Sequence, residues 1–371
     1  MTSKERMLCA LHRGKPDRMP VSVHQWQGYH LDTYLDGISP LDAFRRFGMD
    51  AQIQYFQDMG QFWLVNADYT KFSTREWQDE VRVIDADPDH RISHHLITTP
   101  GGTLTYKTAG DRKTTWITEY LVKCDEDIDL IRAYMPVPEL DPAPVAEAYE
   151  ALGDDGILRG FVWGDQAGCW QHACCLMDVN DLLMACLEKP DWVHTFLQAL
   201  LDKKLAFVAS MKGAKFDLIE TGGGAASSTL VSPDIHRDFC LPYDRRVHDA
   251  LHGLGFLVVY HTCGGTRGIE ELIVANGCDA SETLAPPSIG GNSEPREFKA
   301  KIGKRLALIG GMDQYNTVTL GSAEQIRAKV FELFTKVGYD GGYICSMADH
   351  FFETPPENLA VFAAAARECL Y

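Results

Sequence analysis

His261-x-Cys263 closes one apolar run of the chain, and Cys345 closes another far downstream. Two thiolates and one imidazole supply three ligands to a borderline-soft, tetrahedral cation such as zinc. They leave one position open, which marks a catalytic rather than a structural zinc site. Alternate residues on a strand face opposite ways, so both members of His261-x-Cys263 reach one ion only at a strand end, where the chain turns. The competing reading is a pair of buried cysteines and a hydrogen-bonded histidine. For a fourth ligand, Glu282 at the end of the next run is the better placed carboxylate, and Glu220 at the end of the preceding run is the alternative. Either also suits general acid or base work.

Other chemistry-bearing residues fall at the same ends. Asp313 follows the run Leu306–Met312, and Asp349 and His350 follow Gly342–Met347. All three fall on the same predicted face as the candidate ligands. His24, Trp26, Trp163, Asp165 and Glu220 are the expected substrate contacts. The tryptophans suit the wall of an apolar ligand pocket, with core packing as the competing role. Cys169, Cys174 and Cys175 lack CxxC spacing and sit in a helical segment, so they are read as packing. Gly222-Gly223-Gly224 either lets a ligand approach the backbone closely or forms a plain flexible loop.

What positions these residues is an alternation of short apolar runs with helical periodicity. The runs are 157–163, 216–221, 256–261, 279–284, 306–312 and 342–347. Helical segments separate them at 179–212, 232–254, 266–276 and 322–337. Strand, helix, strand in this rhythm means a parallel sheet with right-handed crossovers. Residues 20–70 supply two more strands, so the expected fold is a TIM (β/α)8 barrel. A doubly wound open sheet is the rival, but no GxGxxG turn follows any run. Residues 3–13 read as a short amphipathic helix with Ser3 as N-cap and Gly14 as stop. Residues 79–106 are polar and β-like, and ITTPGGTLTY predicts a hairpin, an excursion from a single domain spanning 1–371.

Composition narrows the function classes. The 371 residues are 45% hydrophobic and 23% charged, with 35 Lys+Arg against 52 Asp+Glu, a formal charge of −17. That balance argues against nucleic acid or an anionic membrane as partner. No stretch approaches the ~18 apolar residues of a membrane span. The charged N-terminal segment has no apolar core, so no signal peptide is expected. Eleven cysteines then read as reduced thiols in a cytoplasmic protein.

In order along the chain, RMLCALHRGKPDRMPV, ITTPGGTLTY, SSTLVSPDIHRDFCLPYDRRV, VVYHTCGGTRGIEELIVANGCDASETL, LALIGGMD and GGYICSMADHFFETPPENL resemble the uroporphyrinogen decarboxylase superfamily. The resemblance implies a TIM barrel. Decarboxylases of this family carry an arginine-rich stretch after the first strand to hold the substrate's carboxylates. Here that place reads VSVHQWQG, without arginine. The other branch holds zinc-dependent methyltransferases such as the methylcobalamin:coenzyme M enzymes. Their His-x-Cys and distant Cys match His261, Cys263 and Cys345, and the related methionine synthases add a glutamate that maps to Glu282. The implied function is zinc-dependent methyl transfer between a corrinoid on a partner protein and a small methyl donor or thiol acceptor, with Asp313, Asp349 and His350 handling protons or hydrogen-bonding the zinc ligands. A lyase acting on another carboxylic acid is the alternative. No DxHxxG cobalamin motif occurs in the chain itself. Direction, methyl substrate (methanol, methylamines, methoxylated aromatics or methyl thiols) and a homodimeric state stay open.

Overall fold

In five of the apolar runs an aliphatic residue is followed two positions later by a polar one. The pairs are Ile157 and Arg159, Leu218 and Glu220, Val259 and His261, Ala280 and Glu282, and Ile344 and Ser346. Residues two apart on a strand share a face. These runs therefore carry an apolar layer and, above it, a polar one on the same side.

A computed structural model describes residues 1–55, 73–164 and 168–371. Its strands are β1 (Val21–Ser22), β2 (Ala51–Gln54), β3 (Gln78–Asp85), β4 (Arg91–Thr99), β5 (Gly102–Gly110) and β6 (Thr115–Glu119). They continue with β7 (Gly156–Phe161), β8 (Leu218–Gly222), β9 (Val258–His261), β10 (Ala280–Thr283), β11 (Ala307–Met312) and β12 (Tyr343–Met347). Eight of them form one parallel sheet in the order β1-β12-β11-β10-β9-β8-β7-β2. Neighbours around the sheet follow chain order, which is the (β/α)8 arrangement.

The two edge strands meet without a regular ladder. The Asp50 N–H donates to the Val21 carbonyl at 2.7 Å, and the Val21 N–H donates to Asp50 Oδ2 at 3.0 Å. Gln52 Nε2 donates to the Val23 carbonyl at 2.6 Å. Arg6 and Arg18 clamp the fully buried Asp50 carboxylate at 2.6 and 2.9 Å. Pairing and hydrogen bonds together offset the desolvation of that charge.

The floor of the barrel is apolar. Met7, Ala10 and Leu11 of the helix Ser3–Leu11 pack against Ile157, Leu218, Val259, Ala280, Ala307 and Ile344. The cap of that helix is Thr2, not Ser3. Thr2 Oγ1 accepts from the Glu5 N–H at 3.2 Å, and the Glu5 carboxylate accepts from the Thr2 N–H at 2.8 Å. Only a cap at Thr2 puts Glu5 at the position that completes this reciprocal pair.

Helices sheathe the outside. The periodic segment 179–212 is two helices, Val179–Glu188 and Pro190–Ser210, because Pro190 opens the second. The segment 232–254 carries a π turn at His236–Cys240 just before Pro242, which has no N–H to give the preceding turn. Among the described residues no helix is long and apolar enough to cross a membrane.

The β excursion is larger than the hairpin expected at 79–106. Strands β3 to β6 form a four-stranded antiparallel sheet between the second and third barrel strands. Its central turn lies at Pro100-Gly101, where Thr99 pairs with Gly102 and Ile97 with Leu104.

Candidate metal centre and adjoining cavity

One residue pair above the floor, the barrel interior becomes polar. Arg159 is wholly buried. Its Nη2 donates to Glu220 Oε2 at 2.5 Å and also to Glu282 Oε1. His261 Nδ1 lies 2.8 Å from Glu282 Oε1 and 3.5 Å from Glu220 Oε1. His24, just past β1, brings Nδ1 to 3.7 Å from Glu282 Oε2. Its ring centroid is 5.0 Å from that of His261 and 5.1 Å from that of His350. Gln27 Nε2 holds His350 Nδ1 at 2.6 Å.

These contacts fix the tautomer of His261. A carboxylate on Nδ1 keeps a proton there, so Nε2 is the nitrogen a cation can take by displacing its proton. That Nε2 is buried and has no hydrogen-bond partner among the described residues. An orphaned buried nitrogen asks for a ligand. The His261 ring, the Cys263 thiol and the Asp349 carboxylate bring ligand atoms within 4.8 Å of one another. Burial alone would depress the His261 pKa. The negative charge of Cys263 and the Glu282 and Glu220 carboxylates outweigh it and hold the imidazole well above its usual value. A site that draws a proton this strongly is one where a divalent cation competes for the same place.

A second group, His24, Glu220, His261 and Glu282, is equally compact. Its two carboxylates, however, are already bound to the Arg159 guanidinium. Burial would raise the Glu282 pKa, but Arg159, His24 and His261 hold it well below its usual value. A divalent cation there would stand against the guanidinium. The thiol, carboxylate and orphaned nitrogen of the first group suit zinc better.

Cys345 is not in this group, against expectation. It pairs with Gly310 on one side and Val21 on the other. It packs in the outer layer with Tyr343 and Met347, while Ile344 belongs to the inner floor. Burial pushes its thiol up to about 12, with the nearby Cys369 adding to the rise. The physical reason is strand alternation, which turns Cys345 outward and Ile344 and Ser346 inward. Asp349, past the strand end, stands where the third ligand was sought.

A cavity of about 390 Å³ opens beside Cys263 and Asp349. Gly224, Ser227 and Leu230 from the loop after β8 form one wall. Gly264, Ile289 and Gln314, from the loops after β9, β10 and β11, form the rest. Ligand cavities of TIM barrels are built from these loops at the carboxyl ends of the strands. The glycine stretch is a fixed wall. Trp170 Nε1 donates to the Ala225 carbonyl at 3.0 Å, the Ala225 N–H donates to Gln171 Oε1 at 2.8 Å, and His236 Nδ1 holds the Ala226 carbonyl at 2.9 Å.

The other expected site residues fall elsewhere. Asp313 caps the turn Gln314–Thr319, accepting from the Tyr315 and Asn316 N–H groups at 3.0 and 2.7 Å. Its second oxygen accepts from Ser288 Oγ at 2.6 Å. Those bonds make it a structural carboxylate rather than a proton carrier. Trp163 is fully buried, edge-on to His172 at 5.3 Å, beneath the helix Cys169–Leu176. Trp26 stacks on Phe47 at 5.8 Å and meets Phe351 edge-on at 5.5 Å. Both tryptophans are therefore core rather than substrate wall. His24 and Glu220 belong to the buried polar layer, and Asp165 lies outside the described residues. His350 stands beside that layer. Burial and the charge of His24 push it down to about 4, against the opposing pull of Asp349.

Arg159 escaped the sequence reading, although it had a visible signal, a lone cation inside the apolar run ILRGFVW. Gly224 was expected to admit a ligand or form a flexible loop, but nothing local says that a glycine will face a thiol on another strand.

Comparison with known proteins follows the same line. The family model described as uroporphyrinogen decarboxylase (URO-D) matches residues 101–369. The methylated-thiol–coenzyme M methyltransferase of Methanosarcina mazei is 24% identical over 179 residues, 48% of this chain and 45% of that protein. The methylcobamide:CoM methyltransferase MtaA of Methanosarcina barkeri is 26% identical over 210 residues, 55% of this chain and 57% of that one. The chain thus spans about half the length of the curated relatives it matches. A solved methyltransferase from Methanosarcina mazei superposes with a TM-score of 0.66 at 18% identity, over 99% of each chain, and shares the fold.

Proposed function

The chain belongs to the uroporphyrinogen decarboxylase family, and from that premise we propose that it is a zinc-dependent methyltransferase. It moves a methyl group between a corrinoid carried by a partner protein and a small methyl donor or thiol acceptor. The observation that carries this reading is the buried, unpartnered Nε2 of His261 grouped with Cys263 and Asp349, which themselves line a cavity. Relatives named as corrinoid and thiol methyltransferases support it.

Zinc, when bound, supplies a Lewis acid that lowers a thiol's pKa or polarises the atom bearing the methyl group. His261, Cys263 and Asp349 would hold it. Glu282 holds a proton on His261 Nδ1, which would leave Nε2 as the ligand nitrogen. Arg159 fixes Glu282 and Glu220 in turn, so the imidazole is braced from behind. Cys263 and Asp349 bring two negative charges, which cancel those of a divalent cation. His350, held by Gln27 outside the ligand set, is the proposed proton-handling group. With eleven free thiols, a reducing cytoplasmic setting is part of the proposal.

A lyase acting on a carboxylic acid is the weaker reading. Substrate carboxylates need cations, and no Lys, Arg or His lines the cavity among the described residues. Arg159, buried beneath it, is bound to two glutamates.

The test is metal analysis of the purified chain beside three variants in chelator-free buffer. About one zinc per chain is expected in the parent protein and in Cys345→Ala. Cys263→Ala and Asp349→Ala should lose it with unchanged circular dichroism. Free methylcobalamin with thiols is then the assay of methyl transfer. No zinc in the parent protein after reconstitution would sink the proposal.

A further inference from the structure

β1 and β12 are parallel neighbours, with Val21 beside Cys345 and Ser22 beside Ser346. Parallel neighbours deliver the segments that follow them to the same end of the barrel. The segment after β12 carries Asp349, and the one after β1 runs into a short helix, Gly28–Tyr34. The two meet at three consecutive residues. Gln27 Nε2 donates to His350 Nδ1 at 2.6 Å. Phe351 is buried edge-on against Trp26 and His30, with ring centroids 5.5 and 4.9 Å away. His30 Nδ1 donates to the Phe352 carbonyl at 3.2 Å. Gln27 and His30 stand three apart at the start of the helix, and that spacing puts both on the side that faces the loop.

Asp349 itself has little else to fix it. Among the described residues its carboxylate accepts one hydrogen bond, from the His350 N–H at 2.7 Å, within the same loop. A carboxylate held only by the next residue goes where the loop goes. Both ends of the loop are tied. The Ala348 N–H donates to the Met312 carbonyl at 2.9 Å, and Thr354 Oγ1 lies 2.7 Å from Thr319 Oγ1. Between those ties the Lys113–Glu353 ion pair is exposed and holds little. The buried contacts from Gln27, Trp26 and His30 therefore set the course of the loop. A metal site tolerates only about 0.5 Å of error in a ligand, so that course matters to Asp349.

We infer that Gln27 and His30 are positioning residues for the candidate metal centre: through His350 and Phe352 they hold the loop that turns the Asp349 carboxylate toward Cys263. This rests on the zinc reading of the site and adds to it two residues outside the ligand set.

Three variants of the full chain test it. Gln27→Met keeps the length of the side chain and removes its donor. His30→Phe keeps the ring and removes its donor. Asp32→Ala, at an exposed position of the same helix, is the control. In the metal-free chain, amide hydrogen exchange across 348–354 should quicken by at least about threefold in the first two and stay unchanged in the third. A chelator competition should then show zinc bound about tenfold more weakly by Gln27→Met and His30→Phe, and as in the parent by Asp32→Ala. With cobalt(II) in place of zinc, the visible absorption bands, which report ligand geometry, should change in the same two variants only. Unchanged exchange in both overturns the inference. So do parent-like zinc affinity and cobalt bands in variants whose loop exchanges faster. Should His30→Phe fail to fold by circular dichroism, Gln27→Met, at a half-buried position, carries the test. If the loop exchanges faster in the variants but the parent chain takes up neither metal, the zinc reading fails while the hold on Asp349 stands.

Discussion

Gly224 faces Cys263 so closely that a Cβ on the glycine would stand 2.6 Å from the cysteine Sγ. The neighbouring atom is the candidate metal ligand itself, so Gly224→Ala must displace the thiol or the loop. Overpacking of this kind costs about 1–3 kcal/mol, which at the thiol amounts to about tenfold or more in metal affinity. The check is a chelator competition on Gly224→Ala beside Gly253→Ala, whose added Cβ meets open space. The first should bind zinc more weakly and the second should match the parent protein. Equal affinities for both would place the metal away from Cys263.

The Glu282 carboxylate on His261 Nδ1, at 2.8 Å, makes a separate claim. Glu282→Gln keeps an acceptor for that proton but removes the charge that makes the imidazole a strong ligand. Loss of such a partner typically lowers metal affinity by about 10–100-fold. Arg159 retains Glu220 at 2.5 Å, so the fold should survive. The same competition reads the result, with the melting temperature as the control for folding. Unchanged affinity in a folded variant would remove Glu282 from the support of His261.

A buried carboxyl behind β9 gives a pH signature unrelated to the metal. Tyr260 donates to Asp244 Oδ2 at 2.7 Å. Burial lifts the Asp244 pKa from 3.8 to about 6, against the pull of the Tyr260 hydroxyl and the charge of Lys204. The folded protein thus holds this proton more tightly than the unfolded chain does. Below about pH 4 both states carry it and no penalty arises. Above about pH 6 both have lost it, and the folded state is destabilised by on the order of 3 kcal/mol. Asp244→Asn keeps an acceptor for Tyr260 and removes the titration. Its melting temperature relative to the parent protein should therefore rise between pH 4.5 and pH 7. A constant difference across that range would contradict the assignment.

The barrel was legible because its signal is local. Runs such as 256–261 and 306–312 end within two residues of the strands they predict, and the polar step two positions after Ile157, Leu218, Val259 and Ala280 marks the inward face. The same alternation rule, applied to 342–347, puts Ile344 inside and therefore Cys345 outside. Choosing Cys345 by residue type and by its place near a strand end left that rule out. Asp349 was legible as a strand-end carboxylate but not as a neighbour of Cys263, because its position depends on how the loop after β12 folds over the mouth. The two tryptophans were unreadable for another reason. Whether an aromatic near a strand end faces ligand or helix is decided by helices such as Cys169–Leu176, whose packing angle no local pattern records.

The helix that floors the barrel also sets a timetable for biosynthesis. The stripe formed by Met7, Ala10 and Leu11 leaves the ribosome ahead of every strand it must cover, and its last partner is Ile344 in the final one. Until that strand has been made, the stripe has no complete surface to bury against. Contacts so distant along the chain slow folding and leave apolar surface uncovered meanwhile. The stripe therefore stays without its full partner surface from the synthesis of Leu11 to that of Ile344.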